Sequence, residues 1–180
     1  MTGSPATGKK TVGRILAEIL DLEFLSINDF AIQNRFAKKV CGEYVVDTKR
    51  LRGKIKTRGQ VVSGHVLPYV IPNKDLDWVI VLRSSPKTLR ARYKSRHYSK
   101  EKILENIEAE MIGLIAAACL GTYSYKKLAE FDTSRAKAET VARRIIQVIK
   151  GDAAPSFANI DWLSASKPSA FTEALRGEMQ

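Results

Sequence analysis

The residues that could do chemistry begin at the third position. Gly3-Ser4-Pro5-Ala6-Thr7-Gly8-Lys9-Lys10-Thr11 sets two glycines five apart and follows them with a lysine where a helical pattern opens. That spacing belongs to phosphate-binding loops, whose glycines let the backbone curl until its N–H groups face phosphate oxygens. The helix that follows adds the positive end of its dipole, and Lys9 supplies a mobile cation. A glycine-rich turn that merely caps a helix is the plainer alternative. Two features depart from the motif. The position after the lysine normally carries the hydroxyl that binds Mg2+, but here it is Lys10, which cannot ligate a metal while protonated. Thr11 is the neighbouring hydroxyl that could substitute. The motif also normally follows a complete strand, whereas Met1 and Thr2 alone precede it. The expectation is therefore a start assigned several residues too late, rather than a sheet without its middle strand.

Two further candidates sit at strand ends, where α/β sheets bind their ligands. His65 follows the short apolar run Gln60–Ser63, and could position a water or a phosphate or be a structural histidine. Asp132 follows Leu128–Phe131, as a fallback carboxylate or, more simply, a helix cap.

The elements that must position these residues alternate between helix and strand patterns. Val12, Ile15, Leu16, Ile19 and Leu20 recur at three- and four-residue spacing, which predicts a helix over Lys9–Leu22. Phe24–Ile27 predicts a strand, and Asn28 a helix cap with the helix running to about Lys38. Asp47 caps another, ending at Gly59. Gln60–Ser63 and Trp78–Leu82 have the composition of strands buried on both faces. Pro86 opens a helix, a long helix is expected from about Ser99 to Leu120, a strand at Leu128–Phe131, and a last helix over Lys137–Lys150. This alternation predicts an α/β fold in which a parallel sheet is flanked by helices in three layers. Beyond Gly151 the pattern changes. Asp152–Pro155 has the composition of a linker, and the apolar clusters Ile160–Leu163 and Phe171–Leu175 either pack back or form a docking tail.

Composition sets outer bounds. At 180 residues, 44% hydrophobic and 27% charged, the chain is about one globular domain. It has no apolar run near the ~20 residues that cross a bilayer and no signal-peptide pattern, so a soluble, cytoplasmic protein without membrane contact is expected. Cys41 and Cys119 have neither the number nor the spacing of a disulfide framework or zinc site. The net charge is +11, with +13 over residues 1–150 and −2 over 151–180. A basic body of that size attracts polyanions such as nucleotides, RNA or a ribosomal surface, unless the charge serves only solubility.

Over roughly residues 2–150 the chain resembles the archaeal adenylate kinase-like proteins related to eukaryotic adenylate kinase isoenzyme 6, which doubles as a small-ribosomal-subunit assembly ATPase. The resemblance is carried by the loop, Tyr44–Asp47, Gly64-His65, Val79–Arg83, Arg92–Lys102, Glu105–Glu110 and Asp132-Thr133. The run from Arg96 to Glu110 is its most specific part. It implies a P-loop kinase domain over 1–150, a monophosphate-binding segment at about 27–48, a short lid at about 95–106, and a tail over 151–180. It places ATP contacts at Ala6, Gly8, Lys9, Lys10 and Thr11, with Arg96 from the lid and Arg135 stacking on the adenine. Asn28 and Arg35 fall in the segment that takes the acceptor, AMP. In relatives an acidic residue two positions before the histidine helps hold Mg2+ or the attacking water; here it is Ser63, so both expected metal-holding positions are altered. The implied activity is conversion of ATP and AMP to two ADP, with Lys9, His65 and Arg96 as its catalytic residues, combined with ATPase activity and a role in small-subunit rRNA maturation beside a ribosomal protein. A ribosome assembly factor with weak or lost kinase activity is the alternative. A non-catalytic RNA-binding relative is the third reading, which no aromatic-plus-basic recognition motif supports.

Overall fold

The computed structural model describes residues 1–40 and 42–165. Its sheet consists of two parallel pairs joined by the first two residues. In one pair β1 (Glu23–Ser26) lies beside β4 (Gln60–Ser63), with Ser26 opposite Ser63. In the other, β5 (Val79–Arg83) lies beside β6 (Leu128–Asp132). Between β4 and β5, Gly64 donates to the Met1 carbonyl at 3.1 Å, Thr2 donates to Ile80, and Leu82 donates to Thr2 at 2.9 Å. Two residues thus occupy the place of the expected central strand, at its C-terminal end, and hand the chain directly to the glycine loop.

Helices cover both faces. On one, α1 (Lys9–Leu20) packs Val12 and Leu16 against Ile80, Leu82 and Ala129, together with Val141, Ala142 and Ile145 of α8 (Ala138–Lys150). On the other, Val79, Val81 and Leu128 meet Leu67 and Val70 of α4 (Leu67–Val70) and Cys119 of α7 (Leu114–Thr122). Alternate residues of β5 therefore face opposite layers, and all five are buried, as the unbroken apolar run requires. The three-layer α/β architecture expected from the sequence is present. A third cluster joins Leu89 and Tyr93 of α5 (Pro86–Lys94) to Ile103, Ile107 and Met111 of α6 (Lys100–Met111), closing on Ala6 of the loop.

Several expected boundaries are corrected. The helix expected from Asn28 to Lys38 is α2 (Ile27–Gln33), capped by Ser26 rather than Asn28, since the Ser26 hydroxyl accepts from the Asp29 N–H. Arg35, at φ 59°, turns the chain out of it. Ala37–Val40 (β2) and Glu43–Val46 (β3) then form an antiparallel hairpin. The hairpin is largely exposed, so it carries no buried stripe from which its period could be read. Asp47 does cap a helix, α3, but only over Thr48–Leu51, with Gly53 at φ 74° beyond it. The long helix breaks at Gly113, which adopts φ 66° and starts α7. At the break the Glu110 carbonyl accepts from the Gly113 N–H at 3.0 Å, in place of the next turn's amide, and from the Arg83 guanidinium at 2.7 Å.

The segment after α8 packs back on the domain. Ser156 accepts from Glu130 on the open edge of β6, Phe157 enters the core, and Trp162 packs on the α5–α6 cluster. The Phe171–Leu175 cluster lies outside the described residues. Among these, no helix is long and apolar enough to cross a membrane.

Candidate active site

The loop from Gly3 to Gly8 is held by its carbonyls, one from within and three by side chains of other elements. Ser4 O accepts from the Thr7 hydroxyl at 2.9 Å and from Lys9 Nζ at 2.7 Å. Pro5 O accepts from the Tyr93 hydroxyl at 2.9 Å, and Ala6 O from Arg92 Nη1 at 2.9 Å. Thr7 O lies 3.0 Å from the Thr133 hydroxyl, which shares its proton with Arg83 O. Within the loop the Thr7 N–H also donates to Ser4 O at 3.3 Å, so all four successive carbonyls from Ser4 to Thr7 are engaged. Ala6 and Gly8 hold φ 60° and 90°, and no side chain caps α1 at Gly8. The first-turn N–H groups of α1 are orphaned by helix geometry, and that turn contains no acidic residue. A tied-back loop with a helix dipole behind it is an arrangement that could cradle an anion.

Its back wall is a buried ionic cluster. Arg83, at the end of β5, donates from Nε to Glu110 Oε1 at 2.7 Å and from Nη1 to Glu130 Oε1 at 2.8 Å, with all three side chains at most 4% exposed. Glu110 also accepts from the Ser4 hydroxyl at 2.6 Å, the Ser84 N–H at 3.0 Å and the Trp162 indole at 3.2 Å. The carboxylate thus couples loop, sheet, α6 and the returning tail. Burial pushes the Lys9 ammonium down to about 7; the Glu110 charge opposes this and Arg96 adds repulsion. Burial likewise pushes His65 down to about 4, with Lys9 and Lys102 adding repulsion. His65 is therefore a neutral imidazole at physiological pH, able to orient a group by hydrogen bonding but not to act as a cation.

The expected site residues lie at several places. Ala6, Gly8 and Lys9 form the cradle. Arg96 is exposed on the turn between α5 and α6, close enough for its charge to act on Lys9. Arg135 is exposed two residues beyond Thr133, which touches the loop. Asp132 caps a turn rather than a helix, its carboxylate accepting from the Ser134 N–H at 2.8 Å. Asn28 and Arg35 lie at opposite ends of α2, and the Asn28 Oδ1 is buried without a partner among the described residues. Across the cleft, Lys102 of α6 meets Glu43 of the β2–β3 hairpin at 2.8 Å, tying the expected lid to the expected monophosphate segment.

The residues at the metal positions do not fit Mg2+. Lys10 Nζ is paired with both Asp29 oxygens, at 2.8 and 2.9 Å, so an ammonium stands where the loop hydroxyl would and occupies the nearby carboxylate. Ser63 is neutral and buried. Thr11 is exposed one residue further along α1, about 100° around the axis.

Sequence spacing alone assigns no site role to Arg92, Tyr93, Thr133, Glu110 or Asp29. Arg83 closes an otherwise apolar strand and Glu110 stands in an apolar-periodic helix; a charge in each such place was the available signal of a buried pair.

Comparison with known proteins gives the chain's family and fold. A family model described as an AAA domain matches residues 1–113. A protein of Pyrococcus abyssi named "Putative adenylate kinase" is 34% identical over 90% of this chain and 89% of its own. The chain belongs to this archaeal adenylate kinase family. A second family member of the same printed name, from Archaeoglobus fulgidus, is 35% identical over 91% of this chain and 90% of its own. The fold of the archaeal adenylate kinase family is also that of shikimate kinase from Acinetobacter baumannii in complex with shikimate, at TM-score 0.59 and 20% identity over 85% of this chain and 92% of that one.

Proposed function

We propose that this chain transfers the γ-phosphoryl group of ATP to a nucleoside monophosphate, AMP in the first instance, giving two ADP. The observation that carries this reading is the anion cradle of Gly3–Gly8, with four carbonyls tied back and Lys9 at its lip. In this scheme an oxygen of the acceptor phosphate attacks the γ-phosphorus while the bond to the β-bridging oxygen breaks, and ADP leaves with that electron pair. Such a transition state gains from positioning and charge neutralisation rather than from covalent chemistry. Lys9 and the loop amides hold the donor's phosphates, and Arg96 closes from the 95–106 lid as a two-pronged clamp. Arg35 and Asn28, in the 27–48 segment, take the acceptor's phosphate and base, and the unpartnered Asn28 Oδ1 is an acceptor suited to an exocyclic amino group. Arg135 stacks on the adenine. Water replacing the acceptor, oriented by neutral His65, would give ATPase activity.

Lys10 and Ser63 favour a slow enzyme, and so a second reading: a cytoplasmic nucleotide-binding factor for maturation of the small ribosomal subunit and its rRNA. The +13 body supports it. Trp162 does not, because its indole is engaged by Glu110. A coupled ADP-production assay with and without AMP separates the two. AMP-dependent turnover that falls about 100-fold or more in Lys9→Ala supports the kinase; nucleotide binding without turnover, with a ribosomal protein retained in a pull-down, supports the factor.

A further inference from the structure

The disagreement between Mg2+ and the residues at its place has a positive content. We propose that Lys10, tethered by Asp29, does the charge-neutralising work of a metal, so that the site binds its nucleoside triphosphate free of Mg2+. The inference rests on the reading of Gly3–Lys9 as a triphosphate cradle. Lys10 is the second residue of α1, directly after Lys9, and so stands at the position where the hydroxyl of a phosphate-loop motif would hold the ion. It does not wave freely in solvent. Both Asp29 oxygens receive it, and Asp29 is itself fixed by the bond from its N–H to the Ser26 hydroxyl at the mouth of β1. A carboxylate on a neighbouring element orienting a cation beside the loop is the arrangement a bound metal would have, with a single charge in place of two. The ammonium carries three N–H donors, so pairing with a carboxylate leaves capacity for a phosphate oxygen, and the pair is only half-buried.

The balance of charge points the same way. Lys9 is bonded to the loop at Ser4 O, Arg96 is close enough for its charge to act on Lys9, and Lys10 follows on α1, while the carboxylates are paired elsewhere, Asp29 with Lys10 and Glu110 with Arg83. A triphosphate that recharges Lys9 and draws on the Lys10 ammonium gains from both, so the fully charged free form is preferred to its half-neutralised magnesium complex, and a divalent ion brought to that place would meet the Lys10 ammonium.

Calorimetric titration of the full chain at pH 7 with the non-hydrolysable β,γ-imido analogue of ATP tests this, in excess Mg2+ and again in excess EDTA. The expected result is binding in EDTA at least as tight as in Mg2+, and in Lys10→Thr an inversion to about tenfold tighter binding with Mg2+, equivalent to about 1.4 kcal/mol. Binding by the unaltered chain that weakens more than about threefold in EDTA overturns the inference and leaves the triphosphate cradle intact. Absence of binding under both conditions overturns the cradle itself. Because the decisive comparison is made on the unaltered chain, a variant that fails to fold does not blunt the test.

Discussion

Glu110 Oε1 lies 2.7 Å from Arg83 Nε, and both side chains are almost wholly removed from solvent. Removing one partner of such a pair leaves a buried charge uncompensated, at a cost of about 3–5 kcal/mol. Glu110→Ala also strips the Ser4 hydroxyl, the Ser84 N–H and the Trp162 indole of their acceptor. Urea unfolding is expected to show a loss in that range, with Glu110→Gln milder because an acceptor survives. Glu108→Ala, on the exposed side of α6, serves as the control, at under about 0.5 kcal/mol. A Glu110→Ala loss below about 1 kcal/mol would show that the cluster is not the loop's support.

Lys9 links nucleotide binding to pH. With its ammonium pushed down to about 7, the free protein holds Lys9 largely neutral at pH 8, while a bound triphosphate favours the charged form. Binding at pH 8 should therefore take up close to one proton, and affinity should fall as pH rises above 7, by at most about tenfold per unit. Calorimetry at pH 8 in buffers of different ionisation enthalpy measures that uptake directly; zero uptake refutes it. The same displacement makes the unfolded chain the better proton binder between pH 7 and the amine's ordinary range, so stability contributed by Lys9 rises with pH across that window.

His65 should not titrate near neutrality. Its value is pushed down to about 4, so its ring resonances should stay constant between pH 5 and 8. Below the ordinary histidine range the unfolded chain gains a proton that the folded chain refuses, and stability falls as pH drops from 6.5 toward 4. A midpoint near 6.5 in the folded protein would contradict this.

The two loop glycines should differ in their tolerance of a methyl group. A Cβ on Gly3 would lie 2.1 Å from Leu82 O, a backbone atom with no freedom to retreat, whereas one on Gly8 meets nothing nearer than Val12 at 4.0 Å. Gly8→Ala should fold with a loss of about 1–2 kcal/mol from its left-handed backbone. Gly3→Ala should lose several-fold more or not accumulate as folded protein. Equal melting temperatures would refute the close approach of the loop to β5.

The residues of the cradle were legible because phosphate-loop chemistry is local: glycine spacing, one lysine and a helix start are all contiguous. The α/β layering was legible too, because strands buried on both faces must be continuously apolar and helices buried on one face must be striped. The β2–β3 hairpin was not, since an exposed ribbon leaves no such pattern. Nor was the break at Gly113, because a glycine inside an apolar-periodic run can continue a helix or, as here at φ 66°, end one. Only the tertiary structure decided which groups hold the loop open. Tyr93, Arg92 and Thr133 reach its carbonyls across 86 to 126 positions of chain numbering, from elements with no common local pattern. It likewise decided that Lys10 faces Asp29, nineteen residues away. Sequence spacing fixes what a segment can do alone; the pairing of charges between segments depends on packing that no single segment encodes.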